Sequence, residues 1–307
     1  MHVFVTGGSG LTGPSVVTEL ITTGHTVTGL ARSRESARRL ESLGAATLPG
    51  SLDDLDSLRA GAEAAEGVVH MAFGGDFADH EGIMRRDRTA IETLGEALRY
   101  SGKPFVSTSG ALVMPTGRVS TEHDRPDTAG FGAFRIPGED ACLAFAHRGV
   151  RSSVIRLAPT VHGPGDYGFI GMLIATARQS GISAYVGDGA NRWPAVHRLD
   201  AATLFRLALE RAPAGSVLHG AAETGVPFKT IAETIARGLD LPAVSLTTSE
   251  AATHFPSPSM AVFYGADVPV SSAHTRELLG WSPTRPTLLD DIEHGDYLAA
   301  SPSRPEH

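Results

Sequence analysis

The chain has 307 residues, with 26 Lys and Arg against 34 Asp and Glu, and 41% of its residues are apolar, which allows one large α/β domain or a nucleotide-binding domain with a smaller lobe. A formal net charge of −8 without a basic patch argues against nucleic acid as a partner, and the single cysteine, Cys142, excludes an intrachain disulfide. No stretch like a secretory signal precedes the first apolar run, and no apolar run approaches the length of a membrane span, so we expect a cytoplasmic protein without membrane contact.

Short apolar runs alternate with helical patterns through the first half of the chain, which predicts βαβ units and a parallel sheet. The predicted strands are HVFVT (2–6), TVTGLA (26–31), AATLPG (45–50), GVVHMA (67–72), PFVSTS (104–109) and SSVIRL (152–157). The predicted helices lie at 14–24, 34–44, 55–63, 89–100 and 139–149. Cys142 lies in the last of these and is expected to be a small buried side chain.

The pattern is less regular beyond about Pro159, where glycine-rich turns separate two helical stretches at 201–211 and 228–239. The segment PSPS at 256–259 predicts a loop. The natural division is a nucleotide-binding domain of residues 1–158 and a smaller substrate-binding lobe of residues 159–307, interleaved in one compact unit. The expected fold is a Rossmann-type doubly wound parallel sheet, with a ligand in the cleft between the two parts.

A glycine-rich turn, TGGSGLTG, joins the first strand to its helix. Dinucleotide binding needs such a turn, because the backbone must approach the pyrophosphate closely and the helix N-terminus must present free N–H groups to it. The alternative is a turn with only a structural role. The strand–turn–helix context favours a dinucleotide site, and the residues assigned to it are Gly7, Gly8, Ser9, Gly10, Leu11, Thr12 and Gly13.

The residues after the second strand select between NAD and NADP. An acidic residue there would bind the 2′-hydroxyl of NAD, whereas this chain has LARSR. Arg32 is placed to pair with a 2′-phosphate and Ser33 to add a hydrogen bond, so NADP is favoured over NAD. The alternative for Arg32 is a solvated side chain at the start of a helix.

Further motifs are similar to those of one family. TSG follows strand five; IRLAPTVHGPG (155–165) resembles an RPxxVYGPG segment; GDGANRWPAVHRLD (187–200) and RELLGWSPT (276–284) resemble two elements of a substrate lobe. From residue 1 to about 289 the chain resembles the extended short-chain dehydrogenase/reductase family, in its epimerase/dehydratase-like branch. The resemblance implies a small-molecule substrate and the chemistry of an oxidoreductase, an epimerase or a dehydratase.

The resemblance also implies site residues. Further cofactor contacts are expected at Ser51, Leu52, Met71, Ala72, Phe73 and Pro159, with Ser51 replacing an aspartate of the family. Ser109 matches the catalytic serine that hydrogen-bonds a substrate oxygen, and Thr108 precedes it; the alternative is a serine that caps a turn. Family members often pair through two helices, so the helices at 89–100 and 138–148 make a homodimer possible.

The family's Tyr-x-x-x-Lys pair is missing. Counting back from Glu139, the tyrosine position is Phe131 and the lysine position is Arg135. A phenyl ring cannot exchange a proton, and general acid–base help of this kind contributes roughly 10²–10⁴ in rate. Arg135 keeps a positive charge and is expected to bond the nicotinamide ribose. Three outcomes stay open: another proton donor, cofactor binding without turnover, or non-redox chemistry such as elimination or cyclisation.

His162 is the first choice as replacement proton donor, because a histidine titrates near neutrality and this one precedes the GPG turn. Tyr167, which follows closely, and Asp76 are further candidates, and each of the three could instead be a structural residue. The residues expected at the substrate are Asp76, Phe131, Tyr167, Arg192 and Trp193. Arg192 would meet an anionic group, and Trp193 would either stack on the substrate or pack in the core. No motif indicates a metal site.

Overall fold

Parallel apolar strands form the centre of the molecule. The structure is a computed structural model that describes residues 1–74 and 79–299, and the described part contains a seven-stranded sheet in the order β10-β6-β5-β4-β1-β2-β3. Every pairing within it is parallel. Its strands are β1 (His2–Thr6), β2 (Thr26–Ala31), β3 (Ala46–Pro49), β4 (Gly67–His70), β5 (Pro104–Gly110), β6 (Arg151–Leu157) and β10 (Ser216–Gly220).

Helices cover both faces of this sheet. They are α1 (Gly13–Thr22), α2 (Arg34–Ser42), α3 (Leu55–Ala64), α4 (His80–Ala97), α5 (Ile136–Ala144) and α7 (Arg198–Arg211). One apolar core joins the sheet to α1, α2 and α7, and a second joins it to α3, α4 and α5. Two helical layers on a parallel sheet confirm the predicted doubly wound Rossmann-type fold. Cys142 is buried in the second core, as expected.

The remaining elements form a lobe with its own apolar core. Its strands are β7 (Thr160–His162), β8 (Ser183–Val186), β9 (Arg192–His197), β11 (Glu223–Pro227) and β12 (Ala243–Leu246). Its helices are α6 (Phe169–Ser180), α8 (Phe228–Leu239), α9 (Thr248–His254), α10 (Pro258–Tyr264) and α12 (Leu288–His294). Helix α11 (Ala273–Leu279) is an exception, because it packs on β10 and α7 and its Leu279 belongs to the core that joins the sheet to α1, α2 and α7. Residues 198–220 return to the central sheet, because β10 pairs with β6 and α7 packs on α1.

Beyond Pro159 the sequence predicted only the helices α7 and α8, and not α6, α9, α11, α12 or the strands from β7 to β12. Two helices also begin where the sequence predicted another start or a loop. Helix α4 begins at His80 rather than at 89, because the Asp79 carboxylate accepts a hydrogen bond from the Gly82 N–H (2.8 Å) and caps a polar first turn that lacks apolar periodicity. Helix α10 begins inside the segment predicted as a loop, since the Ser257 hydroxyl accepts from the Met260 N–H and Pro258 occupies the first turn. Within the described residues, no helix has both the length and the apolar character needed to cross a lipid bilayer.

Candidate cofactor and active site

The glycine turn lies tightly against the end of β4. Gly7 has φ 75°, and a Cβ added there would stand 2.5 Å from the Ala72 nitrogen. A Cβ on Gly13 would stand 2.2 Å from the Gly7 carbonyl oxygen. Both contacts are with backbone, which cannot move aside as a side chain would, so these two positions require glycine.

The N-terminus of α1 is open toward this turn. Its N-cap residue, Thr12, makes no side-chain capping hydrogen bond, and Pro14 in the first turn has no N–H. Gly10 is exposed and its N–H donates to the Gly7 carbonyl (3.0 Å). The uncapped first amides of α1 and the bare Gly10 backbone therefore form a cradle that fits the diphosphate of a dinucleotide.

The predicted 2′-phosphate site lies at the end of β2. Arg32 is exposed there, whereas Ser33 caps α2: its hydroxyl oxygen accepts a hydrogen bond from the Ser36 N–H (3.1 Å). Arg39 reaches back from α2 and donates to the Ser9 carbonyl (3.0 Å), which connects this helix to the glycine turn. Arg39 was not predicted as a site residue, because its partner, Ser9, lies in the glycine turn and not in α2.

The predicted adenosine-side residues border the same edge of the sheet. The residues Ser51, Leu52, Met71, Ala72, Phe73 and Pro159 are all partly buried. Leu11 also reaches the lobe, because a Cβ on Gly168 would lie 3.0 Å from its Cδ2. Asp76 lies outside the described residues.

Ser109 lies at the end of β5 and is only 4% exposed. No described residue is a hydrogen-bond partner of its hydroxyl. Thr108 differs, because its hydroxyl donates to the His70 carbonyl (3.0 Å) and is thereby occupied. Other buried hydroxyls, such as that of Ser153, also have no partner, but Ser109 lies at the carboxyl end of its strand, where a ligand oxygen could complete its hydrogen bonding. The contact of Thr108 gives no support to a catalytic role.

The short helical turn Phe131–Arg135 closes over the end of β5. A Cβ on Gly132 would lie 2.2 Å from the Leu112 carbonyl oxygen, and Arg135 Nη2 donates to the Thr108 carbonyl. Ser109 lies between these two attachment points along the chain. The structure therefore brings the turn that contains Phe131 and Arg135 to the strand end that carries Ser109.

A buried chain of polar side chains leads to Arg135. The Thr6 hydroxyl contacts His70 Nδ1 (2.7 Å), His70 Nε2 contacts Asp87 Oδ1 (3.2 Å), and Asp87 Oδ2 faces Arg135 Nη1 (3.6 Å). Because a carboxylate only accepts, His70 donates from Nε2 and accepts the Thr6 hydrogen at Nδ1. Burial lowers the pKa of Arg135, and the negative charge of Asp87 opposes that shift. An arginine stays charged even so.

The Arg135 guanidinium also lies 3.6 Å from the centre of the Phe73 ring. This places a buried cation between the end of β4 and the end of β5. Neither Asp87 nor His70, which position that cation, was predicted from the sequence. Asp87 precedes the predicted start of its helix at 89, and no local pattern distinguishes it from the other carboxylates of α4.

His162 occupies a different environment from the predicted one. Its ring is buried, and Nδ1 donates to Asp291 Oδ2 (2.6 Å) in the last helix of the lobe. Nε2 has no hydrogen-bond partner among the described residues, and burial lowers the pKa of His162 to about 4. Its described partners belong to the lobe rather than to the Ser109 environment, so they give no support to a role as proton donor. Tyr167 is exposed on the loop before α6.

Two predicted substrate contacts are occupied by the protein itself. Arg192 Nε and Nη2 donate to the two carboxylate oxygens of Asp267 (3.0 and 2.9 Å), so its charge is already paired. Trp193 is fully buried, packs against Phe263 and Tyr264, and donates from Nε1 to the Ala266 carbonyl (3.2 Å). These contacts give no support to the predicted substrate contact of Arg192, and the burial of Trp193 agrees with the alternative that it packs in the core.

Other expectations remain as they were. Across residues 1–74 and 79–299, no group of three or more His, Cys, Asp or Glu side chains is arranged to hold a metal ion. Ion pairs such as Arg88 with Glu92 (2.8 Å) lie on the outer side of α4, one of the two helices considered for a homodimer. The homodimer stays a prediction.

The chain is similar to known proteins in sequence and in fold. The model of the NAD dependent epimerase/dehydratase family matches residues 3–219. An uncharacterized protein of Schizosaccharomyces pombe is 43% identical over 299 residues, which are 97% of this chain and 100% of that protein. A 4-hydroxy-2-methyl-3-oxo-4-farnesyl-3,4-dihydroquinoline-1-oxide ketoreductase of Stigmatella aurantiaca is 28% identical over 71% of this chain and 67% of its own length. The structure of a dTDP-glucose 4,6-dehydratase from Streptomyces venezuelae, solved with NAD, has a TM-score of 0.80 at 16% identity, over 97% of this chain and 96% of that one.

Proposed function

Because the chain belongs to the NAD dependent epimerase/dehydratase family, within the extended short-chain dehydrogenases/reductases, we propose that it is an NADP(H)-dependent oxidoreductase. It interconverts a carbonyl and a hydroxyl group of a small organic molecule. The observation that carries this proposal is the buried, unpartnered hydroxyl of Ser109 at the carboxyl end of β5. In doubly wound sheets the ligand lies outside the carboxyl ends of the strands.

The cofactor, when bound, supplies or accepts the hydride. The glycine turn and the first amides of α1 hold its diphosphate. Arg32 at the end of β2 supports NADP, since it offers a cation to a 2′-phosphate and no carboxylate stands at 32 or 33 to bind a ribose hydroxyl. Arg135 binds the nicotinamide ribose or the substrate oxygen from its fixed position between Phe73 and Thr108.

Ser109 donates a hydrogen bond to the substrate oxygen, and the Arg135 cation stabilises negative charge that develops nearby. Phe131 has no proton to give, and the contacts of His162 connect it to the lobe instead. Water therefore supplies the proton in reduction and accepts it in oxidation. The exposed position of Phe131 leaves that side of the site open to solvent.

A second candidate is a protein that binds the cofactor and performs no chemistry. Phe131 favours it, because the group it replaces contributes roughly 10²–10⁴ in rate in enzymes that have it. Such a protein would respond to the ratio of reduced to oxidised cofactor.

Fluorescence titration with NADPH and NADH, followed by turnover assays on a panel of carbonyl compounds, distinguishes these functions. We expect tighter binding of NADPH, and an Arg32→Ala variant should lose most of that preference. Ser109→Ala should lower turnover by roughly 10²-fold or more. Ser153→Ala is a matched control, because that hydroxyl is also buried and unpartnered but lies within β6.

Each outcome has a separate meaning. Tight NADPH binding without turnover of any carbonyl would favour the cofactor-binding protein. Turnover that is equal in Ser109→Ala and Ser153→Ala would contradict the role of Ser109. Failure to bind either reduced cofactor would refute both functions.

A further inference from the structure

Five phenylalanine rings form a continuous row from the central sheet into the lobe. Ring centroids are 6.1 Å apart for Phe73 and Phe134, and 6.4 Å for Phe134 and Phe131. They are 5.5 Å apart for Phe131 and Phe263, and 4.4 Å for Phe263 and Phe169. These separations are those of interacting aromatic pairs. We call these five residues the phenylalanine row.

The row passes the position assigned to the substrate carbonyl. Two of its members, Phe134 and Phe131, belong to the turn Phe131–Arg135. Gly132 of this turn packs on the Leu112 carbonyl and Arg135 donates to the Thr108 carbonyl, so the turn contacts the chain on both sides of Ser109. The first member of the row, Phe73, contacts the Arg135 guanidinium. An apolar group bound along the row would therefore begin beside the reacting atoms and extend toward α6 and α10.

The row keeps apolar surface in contact with water. Phe131 is 45% exposed, and Phe73, Phe134 and Phe169 are each partly exposed, whereas Phe263 is buried beneath them. Exposed aromatic surface next to a few polar groups is typical of a pocket for an apolar ligand. None of the five rings has a hydroxyl group that would bind a polar ligand.

Three arginines of the lobe already have partners within the protein. Arg192 is paired with Asp267. Arg178 donates to the carbonyls of Tyr297 and Ala299, and Arg198 donates to the Gly163 carbonyl. A diphosphate would have to displace such contacts before these arginines could bind it.

We propose that the phenylalanine row binds the aryl or alkyl group of an apolar ketone or aldehyde whose carbonyl oxygen meets Ser109. This rests on the oxidoreductase function proposed above. In the reduction, the carbonyl carbon takes a hydride from the reduced cofactor and the oxygen takes a proton from water. The products are the alcohol and the oxidised cofactor.

The test is NADPH oxidation with methyl ketones of increasing length, from 2-butanone to 2-octanone, with 1-hydroxy-2-butanone as the polar counterpart and UDP-glucose as a phosphorylated sugar. We expect kcat/KM to rise about two- to fourfold for each added methylene. Phe131→Ala should flatten this dependence, so that the loss of kcat/KM for 2-octanone exceeds the loss for 2-butanone by about tenfold. Phe131→Leu, which stays apolar, should retain most of it.

Val262→Ala is the matched control, because Val262 is an exposed apolar residue of α10 that is not part of the row. A kcat/KM that does not change with ketone length, or that is highest for 1-hydroxy-2-butanone or UDP-glucose, would overturn the proposal. So would a dimer that becomes monomeric in Phe131→Ala, since the row would then be a subunit interface.

A second measurement separates failure of this inference from failure of the proposed function. If no carbonyl is reduced, calorimetric titration of 2-octanol into the NADP-saturated protein still tests the row. Binding that Phe131→Ala weakens would keep the apolar site and reject the oxidoreductase activity. Equal binding by both proteins, or none, would reject the apolar site.

Discussion

Replacing Asp87 with asparagine removes the charge that faces Arg135 and keeps nearly the same shape. Both side chains are buried, with 7% of Asp87 and 11% of Arg135 exposed, and the closest charged atoms are 3.6 Å apart. At an effective dielectric constant of about 20, this separation corresponds to an attraction of about 4 to 5 kcal/mol. Removing one partner of a buried pair typically costs about 3–5 kcal/mol, because the other charge stays buried and uncompensated. We therefore expect Asp87→Asn to lower the free energy of unfolding by about 3–5 kcal/mol.

The measurement is equilibrium urea unfolding followed by circular dichroism, with the denaturant slope checked for constancy. Asp53→Asn is the matched control. Asp53 has a shorter contact with Arg86 (2.8 Å), but its side chain is 69% exposed, so we expect a loss of only about 0–1 kcal/mol. If distance alone decided the loss of stability, Asp53→Asn would be the more destabilising variant. Because Asp87 is buried and Asp53 is exposed, we expect the larger loss for Asp87→Asn.

A double-mutant cycle completes the test. Asp87→Leu combined with Arg135→Met removes both charges, and the double variant should be more stable than Asp87→Leu alone, with a coupling energy of several kcal/mol. If Asp87→Asn cost no more than Asp53→Asn, or if the cycle gave a coupling energy below about 0.5 kcal/mol, the Asp87–Arg135 pair would not hold the site in the way described.

Three further predictions concern the turn, the phenol position and the lobe. Gly13→Ala should abolish NADPH binding in a fluorescence titration, because its Cβ would overlap the Gly7 carbonyl. Gly24→Ala is the control: its φ of 92° makes alanine destabilising there, but its Cβ would meet no atom within 4 Å, so the folded variant should bind NADPH normally, and equal binding by both variants would refute the close packing of the turn. Phe131→Tyr, by supplying a phenol beside Ser109, should raise the rate of carbonyl reduction by about tenfold or more, and an unchanged rate would show that another group already delivers the proton. His162 has its pKa lowered from 6.5 to about 4, so the unfolded chain binds the proton first as pH falls, and stability from this residue is lost from about pH 6.5 down to about pH 4. Between pH 7 and pH 5, His162 should lower the free energy of unfolding, measured with urea, by about 2 kcal/mol. In His162→Asn the free energy of unfolding should fall by about 2 kcal/mol less over the same pH range.

The architecture and the cofactor turn could be predicted from the sequence because both depend on local patterns. The alternation of apolar runs and helical periods identifies βαβ units, and the glycine turn from Gly7 to Gly13 is contained in one strand–turn–helix unit. That Phe131 stands at the family's tyrosine position followed from the family resemblance, by counting back from Glu139. The family resemblance, rather than a local pattern, selected Ser109 and Arg135. In the structure Ser109 lies at the end of β5, and Arg135 donates a hydrogen bond to the neighbouring Thr108 carbonyl.

Only the tertiary structure decided which hydrogen-bond partner each side chain has and whether that side chain is buried. Arg192 and Trp193 lie in a motif that suggested substrate contact, but Asp267, 75 residues away from Arg192, pairs with the arginine, and the aromatic core buries the tryptophan. His162 is paired with Asp291, which is 129 residues away in the chain. Sequence patterns report which face of an element is apolar, whereas a buried side chain's charge and hydrogen-bond partner depend on which distant segment packs against it.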